Sequence, residues 1–205
     1  MKILLINGSP HASGATKRAL CECESELIRL GAECVWYEVG PMPRAACVAC
    51  GVCSRGKGCV FTDISELASL ISAQDGIIIG TPTYYGGAVG TLTSLLSRVC
   101  RSSPEALFCK TVGAIAVGRR GGVHGAVRDV LRHFEFTSSI IVSASYPAIA
   151  YGANEKSIEY DAEGLQNMRS LAKMIFHATT AKDIAKSSGL ALPMLEKKIK
   201  TNIGS

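Results

Sequence analysis

The chain has 205 residues, 47% hydrophobic and 19% charged, enough for one compact α/β domain with a large core and a loop or tail besides. Its 22 Lys and Arg against 17 Asp and Glu leave a formal charge of +5, spread thinly apart from Lys197, Lys198 and Lys200. That pattern excludes a strongly basic nucleic-acid surface, and no apolar stretch reaches the roughly 18 residues of a membrane span.

In chain order, Met1-Lys2 leads into the apolar run Ile3 to Ile6, far shorter than a signal h-region and followed at once by a Gly-Ser turn. It reads as a first strand, and the expected location is the cytoplasm. Further strands are expected over 34–39, 76–80, 111–117 and 139–143. Helices are expected over 14–30, 63–73, 88–100, 123–134 and about 163–177. Asp63-Ile-Ser-Glu66 has the form of a helix start, an Asp cap followed three residues later by a carboxylate. This alternation predicts a doubly wound five-stranded parallel sheet in the flavodoxin-like order 2-1-3-4-5, with ligands at the carboxyl ends of strands 1, 3 and 4. Residues 1–180 form the expected domain. Residues 181–205 form a tail whose weak helical pattern is broken by Pro193.

The segment 40–61 is far longer than the usual connection between a strand and a helix and needs its own source of order. It carries Cys47, Cys50, Cys53 and Cys59, four of nine cysteines in a chain with no secretory signature, so metal or redox chemistry is expected rather than disulfides. Three thiolates at successive three-residue steps can wrap one cubane, and Gly51, Gly56 and Gly58 let the backbone turn toward it. Zinc usually takes two Cys-x2-Cys knuckles set further apart, which this run does not offer. Zinc and thiols without metal remain as alternatives. Cys21, Cys23, Cys34, Cys100 and Cys109 show no ligand spacing and read as small core residues.

After the first strand, Asn7-Gly-Ser-Pro-His-Ala-Ser-Gly-Ala-Thr16 opens a helix with small and hydroxyl residues. Free backbone N–H groups around Gly14, Ala15 and Thr16, with the hydroxyls of Ser9, Ser13 and Thr16, can surround a phosphate without a Lys. Neither a dinucleotide Gly-x-Gly-x-x-Gly nor a P-loop Gly-Lys-Ser/Thr is present, so a flavin monophosphate fits better than NAD or ATP. The segment resembles the phosphate loop of NADPH-dependent FMN reductases and related flavodoxin-like flavoproteins. His11 stands where that family often has Arg, which makes a positive phosphate contact weaker or pH-dependent.

Gly80-Thr-Pro-Thr-Tyr-Tyr-Gly-Gly87 is similar to the loop that surrounds the flavin ring in the same family. Pro82 fixes the turn, Tyr84 or Tyr85 can stack on the ring, Gly86 and Gly87 admit close backbone N–H contacts, and Thr83 counts with them as FMN-binding. Gly118-Arg119-Arg120-Gly121-Gly122 holds the position of the family's third, Gly-rich flavin loop. There an Arg either offsets charge on reduced flavin, meets a nicotinamide phosphate or is simply exposed. His124, at a helix start, is a proton donor or an ordinary surface cap. No catalytic residue is assigned.

The four-cysteine run resembles that of iron-sulfur flavoproteins, and with the flavin loops the likeness covers roughly residues 1–145. It implies an FMN-dependent oxidoreductase passing electrons between a 4Fe-4S cluster and FMN, a homodimer or homotetramer, and ferredoxin or NAD(P)H as donor. Two other readings are an NAD(P)H-dependent FMN or quinone reductase without a cluster, and a non-enzymatic flavin-binding module that senses redox state.

Overall fold

The computed structural model describes residues 1–194. Its strands are β1 (Lys2–Asn7), β2 (Glu33–Glu38), β3 (Gly76–Tyr84), β4 (Gly87–Ala88), β5 (Thr111–Gly118), β6 (Ile140–Ile141) and β7 (Ala148–Tyr151). Its helices are α1 (Ala15–Arg29), α2 (Ile64–Ser72), α3 (Gly90–Ser102), α4 (Val123–Leu131) and α5 (Ala162–Ser187). The sheet runs β2-β1-β3-β5 in parallel, and β4 folds back antiparallel on the end of β3.

The fifth place beside β5 is shared by two short strands. β6 pairs with the beginning of β5 (Thr111 with Ile140) and β7 with its end (Ile115 with Ala148 through Gly118 with Tyr151). The expected order therefore holds with its last strand split. Pairing stops after the Val142 N–H reaches the Val112 carbonyl at 2.9 Å. The next residues, Ser143-Ala-Ser145, are poor strand formers, and Pro147 has no N–H to give.

Strand periodicity divides the core between the two faces of the sheet. Ile3, Leu5, Ile78, Ile115 and Val117 pack under α1 and α5 with Leu20, Leu27, Met168 and Leu171. Leu4, Ile6, Ile77, Ile79 and Val112 pack under α2, α3 and α4 with Leu67, Leu92, Leu95 and Val127. Each such side chain removed from water stabilises the fold by about 1.5–3 kcal/mol before chain entropy is counted. A helix covers each face, so β5 is buried along its whole length.

Three boundaries differ most from the sequence expectation. β3 continues past Gly80 to Tyr84 because Thr81 and Pro82 keep pairing with β5 and Thr83 and Tyr84 pair with β4. α4 stops at Leu131, and Phe134–Phe136 forms a separate 3-10 turn with Phe134 buried. α5 continues beyond 177 to Ser187, into the expected tail. Polar anchors hold that extension where apolar periodicity is weak: Thr179 Oγ1 lies 2.6 Å from Thr111 Oγ1, and Lys182 Nζ donates to the Asp75 carbonyl at 3.1 Å. The tail from residue 195, with its lysine cluster, lies outside the described residues. Among the described residues, no helix is long and apolar enough to cross a membrane.

Candidate functional site

The β1–α1 loop is organised by its own hydrogen bonds. Asn7 Oδ1 accepts the Ser9 N–H, Ser9 Oγ accepts the His11 N–H, and Asn7 Nδ2 donates to the His11 carbonyl, each at 3.1 Å. Asn7 Nδ2 also reaches Glu38 Oε2 at 2.7 Å, and the Gly8 N–H donates to the Gly80 carbonyl at 2.8 Å, which ties the loop to β2 and β3. The sequence reading passed over Asn7 and Glu38. The available signal was an Asn at a strand end before Gly-Ser, an Asx-turn former.

The helix that follows starts without a side-chain cap and without an acidic residue in its first turn. Its first intrahelical bond runs from the Arg18 N–H to the Gly14 carbonyl at 2.9 Å. The N–H groups of Ala15, Thr16 and Lys17 therefore have no intrahelical acceptor, an arrangement that binds an anion. Ser9 and Thr16 are buried beside it, whereas His11 and Ser13 are exposed. His11 serves the loop through its backbone, and its imidazole stands in solvent. Lys17 is drawn to the side: its Nζ lies 2.6 Å from Glu38 Oε1 and 3.1 Å from the centre of the Trp36 ring.

At the end of β3, Tyr84 pairs with Gly87 across a two-residue turn in which Tyr85 (φ 50°) and Gly86 (φ 83°) both have positive φ. Tyr85 projects fully into solvent, and Tyr84 is 45% exposed. The hairpin packs against the Gly-rich loop so closely that a Cβ on Gly122 would stand 2.5 Å from Gly86 Cα. Only glycine permits that approach. Thr83 sits between the two loops, and its Oγ1 is buried without a partner. Arg119 and Arg120 are exposed. A cavity of about 450 Å³ adjoins His124 at the start of α4, with Tyr146, Tyr151 and Glu163 among its lining residues.

The segment between β2 and α2 has a single 3-10 turn, Cys53–Arg55, as regular structure. Ala49, Gly51, Gly56 and Gly58 turn the backbone through positive φ. Cys47, Cys50, Cys53 and Cys59 all line one narrow cavity together with Arg98 and Arg101 of α3. Among the described residues, no three His, Cys, Asp or Glu side chains are arranged around a single ion position. A cubane makes a different demand, since each thiolate ligates its own iron and four donors need not converge on one point.

Asp63, expected to cap α2, makes no side-chain cap bond. Its carboxylate instead takes Arg98 Nη1 at 2.5 Å and Nη2 at 2.8 Å, with Arg44 Nη1 at 3.3 Å. Hydrogen bonding from Arg98 holds the Asp63 carboxyl below its ordinary pKa. The remaining cysteines lie apart from this cavity; burial pushes Cys34 up to about 11 and Cys100 up to about 12, as suits neutral core thiols.

Residues 1–154 match the family described as NADPH-dependent FMN reductase. Two iron-sulfur flavoproteins of Methanocaldococcus jannaschii are similar along nearly their whole length. One is 30% identical, with 85% of this chain and 95% of the relative covered; the other is 31% identical, with 89% and 98% covered. The fold is shared with FerB, an NAD(P)H:(acceptor) oxidoreductase of Paracoccus denitrificans, at a TM-score of 0.64 and 14% identity over 88% of this chain and 97% of that one. The chain belongs to the NADPH-dependent FMN reductase family, is related within it to iron-sulfur flavoproteins, and is a flavin-dependent oxidoreductase.

Proposed function

We propose that the protein binds FMN across the carboxyl ends of β1, β3 and β5, and that Cys47, Cys50, Cys53 and Cys59 hold a 4Fe-4S cluster. The gathering of three loops at one sheet end supports the flavin site. An uncapped helix start stands on one side, and the hairpin and Gly-rich loop leave the Thr83 hydroxyl buried and unpartnered on the other. Ser9, Ser13 and the N–H groups of Gly14, Ala15 and Thr16 would receive the phosphate, with His11 at the rim. Pro82 to Gly87 and Gly118 to Gly122 would hold the ring. Bound FMN supplies one- and two-electron chemistry, and a cluster supplies single-electron exchange. The chain's part is to bind and orient: backbone N–H groups aim at the anion, glycines admit close approach, and the exposed Arg119 and Arg120 meet negative charge arriving from solvent.

The observation that carries the cluster assignment is that all four cysteines of an irregular loop line the same cavity. A homodimer or homotetramer, ferredoxin or NAD(P)H as donor, and a cytoplasmic setting belong to the same proposal. A cluster-free NAD(P)H-dependent FMN or quinone reductase is the second reading. It is supported by the match of residues 1–154 to the NADPH-dependent FMN reductase family.

The test is absorption spectroscopy with iron, sulfide and zinc analysis on protein purified without oxygen. Four irons and four sulfides per FMN support the cluster. Flavin without iron selects the reductase, and stoichiometric zinc makes the cysteine loop structural.

A further inference from the structure

Arg98 lies in the middle of α3 among Leu95, Leu96 and Val99, and its side chain is 1% exposed. A charge so placed costs several kcal/mol unless it is paired and hydrogen-bonded. Asp63 provides the pairing through two contacts, and the Phe61 ring lies 5.2 Å from the guanidinium carbon. Asp63 is shared, however. Arg44 also reaches it and donates through Nη2 to the Val39 carbonyl at 3.0 Å. Two guanidinium groups on one carboxylate leave one positive charge uncompensated within the group.

The donors are not all satisfied either. Arg98 Nε and Arg44 Nε are both buried with no acceptor, and an unmet buried donor in a native fold asks for a missing partner. Arg98 faces the cavity lined by Cys47, Cys50, Cys53 and Cys59, and Arg101 lines it from the exposed side. Surplus positive charge and an unused N–H beside four thiol groups both suit an anionic occupant, and an iron-sulfur cluster with thiolate ligands is one.

Resting on the cluster reading above, we infer that Arg98, clamped by Asp63, is a positioning residue that raises the reduction potential of a cluster held by the four cysteines. Reduction brings in one electron from an external reductant, breaks no protein bond and adds one negative charge to the cavity. A fixed guanidinium with little solvent to screen it favours that added charge, as hydrogen bonds and local charge do for clusters generally. Asp63 acts in two ways: it holds the guanidinium in place, and it cancels part of its charge.

Opposite signs separate this role from a merely structural one. The full chain, purified without oxygen, is titrated with dithionite through mediators while the reduced cluster is followed by electron paramagnetic resonance. Arg98→Met is expected to lower the midpoint by about tenfold in the one-electron equilibrium, ~59 mV, and Asp63→Asn to raise it. Arg98→Lys, which keeps charge but loses the Nε–H, falls between Arg98→Met and the parent. Arg101→Gln gives a smaller lowering because its charge is exposed.

Unchanged midpoints, or Met and Asn variants shifting in the same direction, overturn the role. If Arg98→Met does not fold or load iron, the sign of Asp63→Asn decides: a rise supports the role, and a fall or no change overturns it. A parent protein without iron and sulfide overturns the cluster reading itself and this role with it. That failure shows in the metal analysis, before any variant is titrated.

Discussion

The two loops that leave the neighbouring strands β1 and β2 are built on different principles. The β1–α1 loop is short, and its first half is tied by Asn7, Ser9 and the backbone of His11 to one another or to the sheet. Its order comes from its own side chains and from the sheet. The β2–α2 segment holds one 3-10 turn, exposes Met42, Val48 and Val60, and is pinned at its two ends by the Arg44–Asp63–Arg98 group. What lies between those pins faces the cavity and has few internal bonds of its own. On the proposed reading, one loop is preorganised for the FMN phosphate, and the other would take its order from the cluster its cysteines hold.

The largest expected effect falls outside both loops, where the β3–β4 hairpin meets the Gly-rich loop. Gly122→Val would drive a branched Cβ to 2.5 Å from the Gly86 backbone, at a residue with φ of +90°. Overpacking and backbone strain together are expected to remove about 3 kcal/mol or more of stability, read from urea unfolding. A variant as stable as the parent would show that the hairpin and the Gly-rich loop do not meet as described.

Next comes the phosphate contact. Ser13→Ala with Thr16→Val keeps the Thr16 volume, which packs against Gly80, and removes both hydroxyls. FMN should bind about tenfold to a hundredfold more weakly, as expected for lost hydrogen bonds to a charged group, with little change in the unfolding midpoint of the flavin-free protein. Unaltered affinity moves the phosphate elsewhere.

The comparison itself is tested by limited proteolysis. Arg55 and Lys57 are exposed trypsin sites within the cysteine segment. Chelating iron should speed cleavage there by about tenfold, because the guest stabilises only the folded loop. Removing FMN should leave that rate nearly unchanged. Equal protection with and without iron would mean that the segment carries its own order.

Sequence reasoning was strongest where periodicity and loop chemistry are local. The parallel sheet, the helix starting near Ala15 and the turn-forming glycines at 86 and 122 all follow from short-range patterns. It was weakest where long-range partners decide. Asp63 looked like a helix cap from its neighbours alone, yet its carboxylate is taken by Arg98, 35 positions away. Arg98 itself gives no sign in an otherwise amphipathic helix that its charge will be buried. The fifth strand was expected over 139–143 alone, because nothing there announces that pairing with β5 stops after Val142 and resumes in β7. The extension of α5 was hidden for the same reason, since Thr179 and Lys182 are held by partners on other elements.

The smallest effect concerns acid and again sets the pinned ends of the cysteine segment against the rest of the chain. Arg98 lowers the Asp63 pKa in the folded state, so this carboxylate contributes stability that is fully present above its unfolded pKa of about 4. The contribution is lost as pH falls through the lower, folded value. Asp63→Asn lacks it at every pH, leaving Arg98 without its charged partner. The stability gap between parent and variant should therefore be widest near neutrality and narrow in acid, by an amount on the order of 1 kcal/mol because Asp63 is 29% exposed and partly screened. Urea unfolding at pH 6 and pH 3 measures the two gaps. A gap that stays constant would mean that the Asp63 carboxylate is not held by the guanidinium, and would leave the cysteine segment without the anchor that closes it against α3.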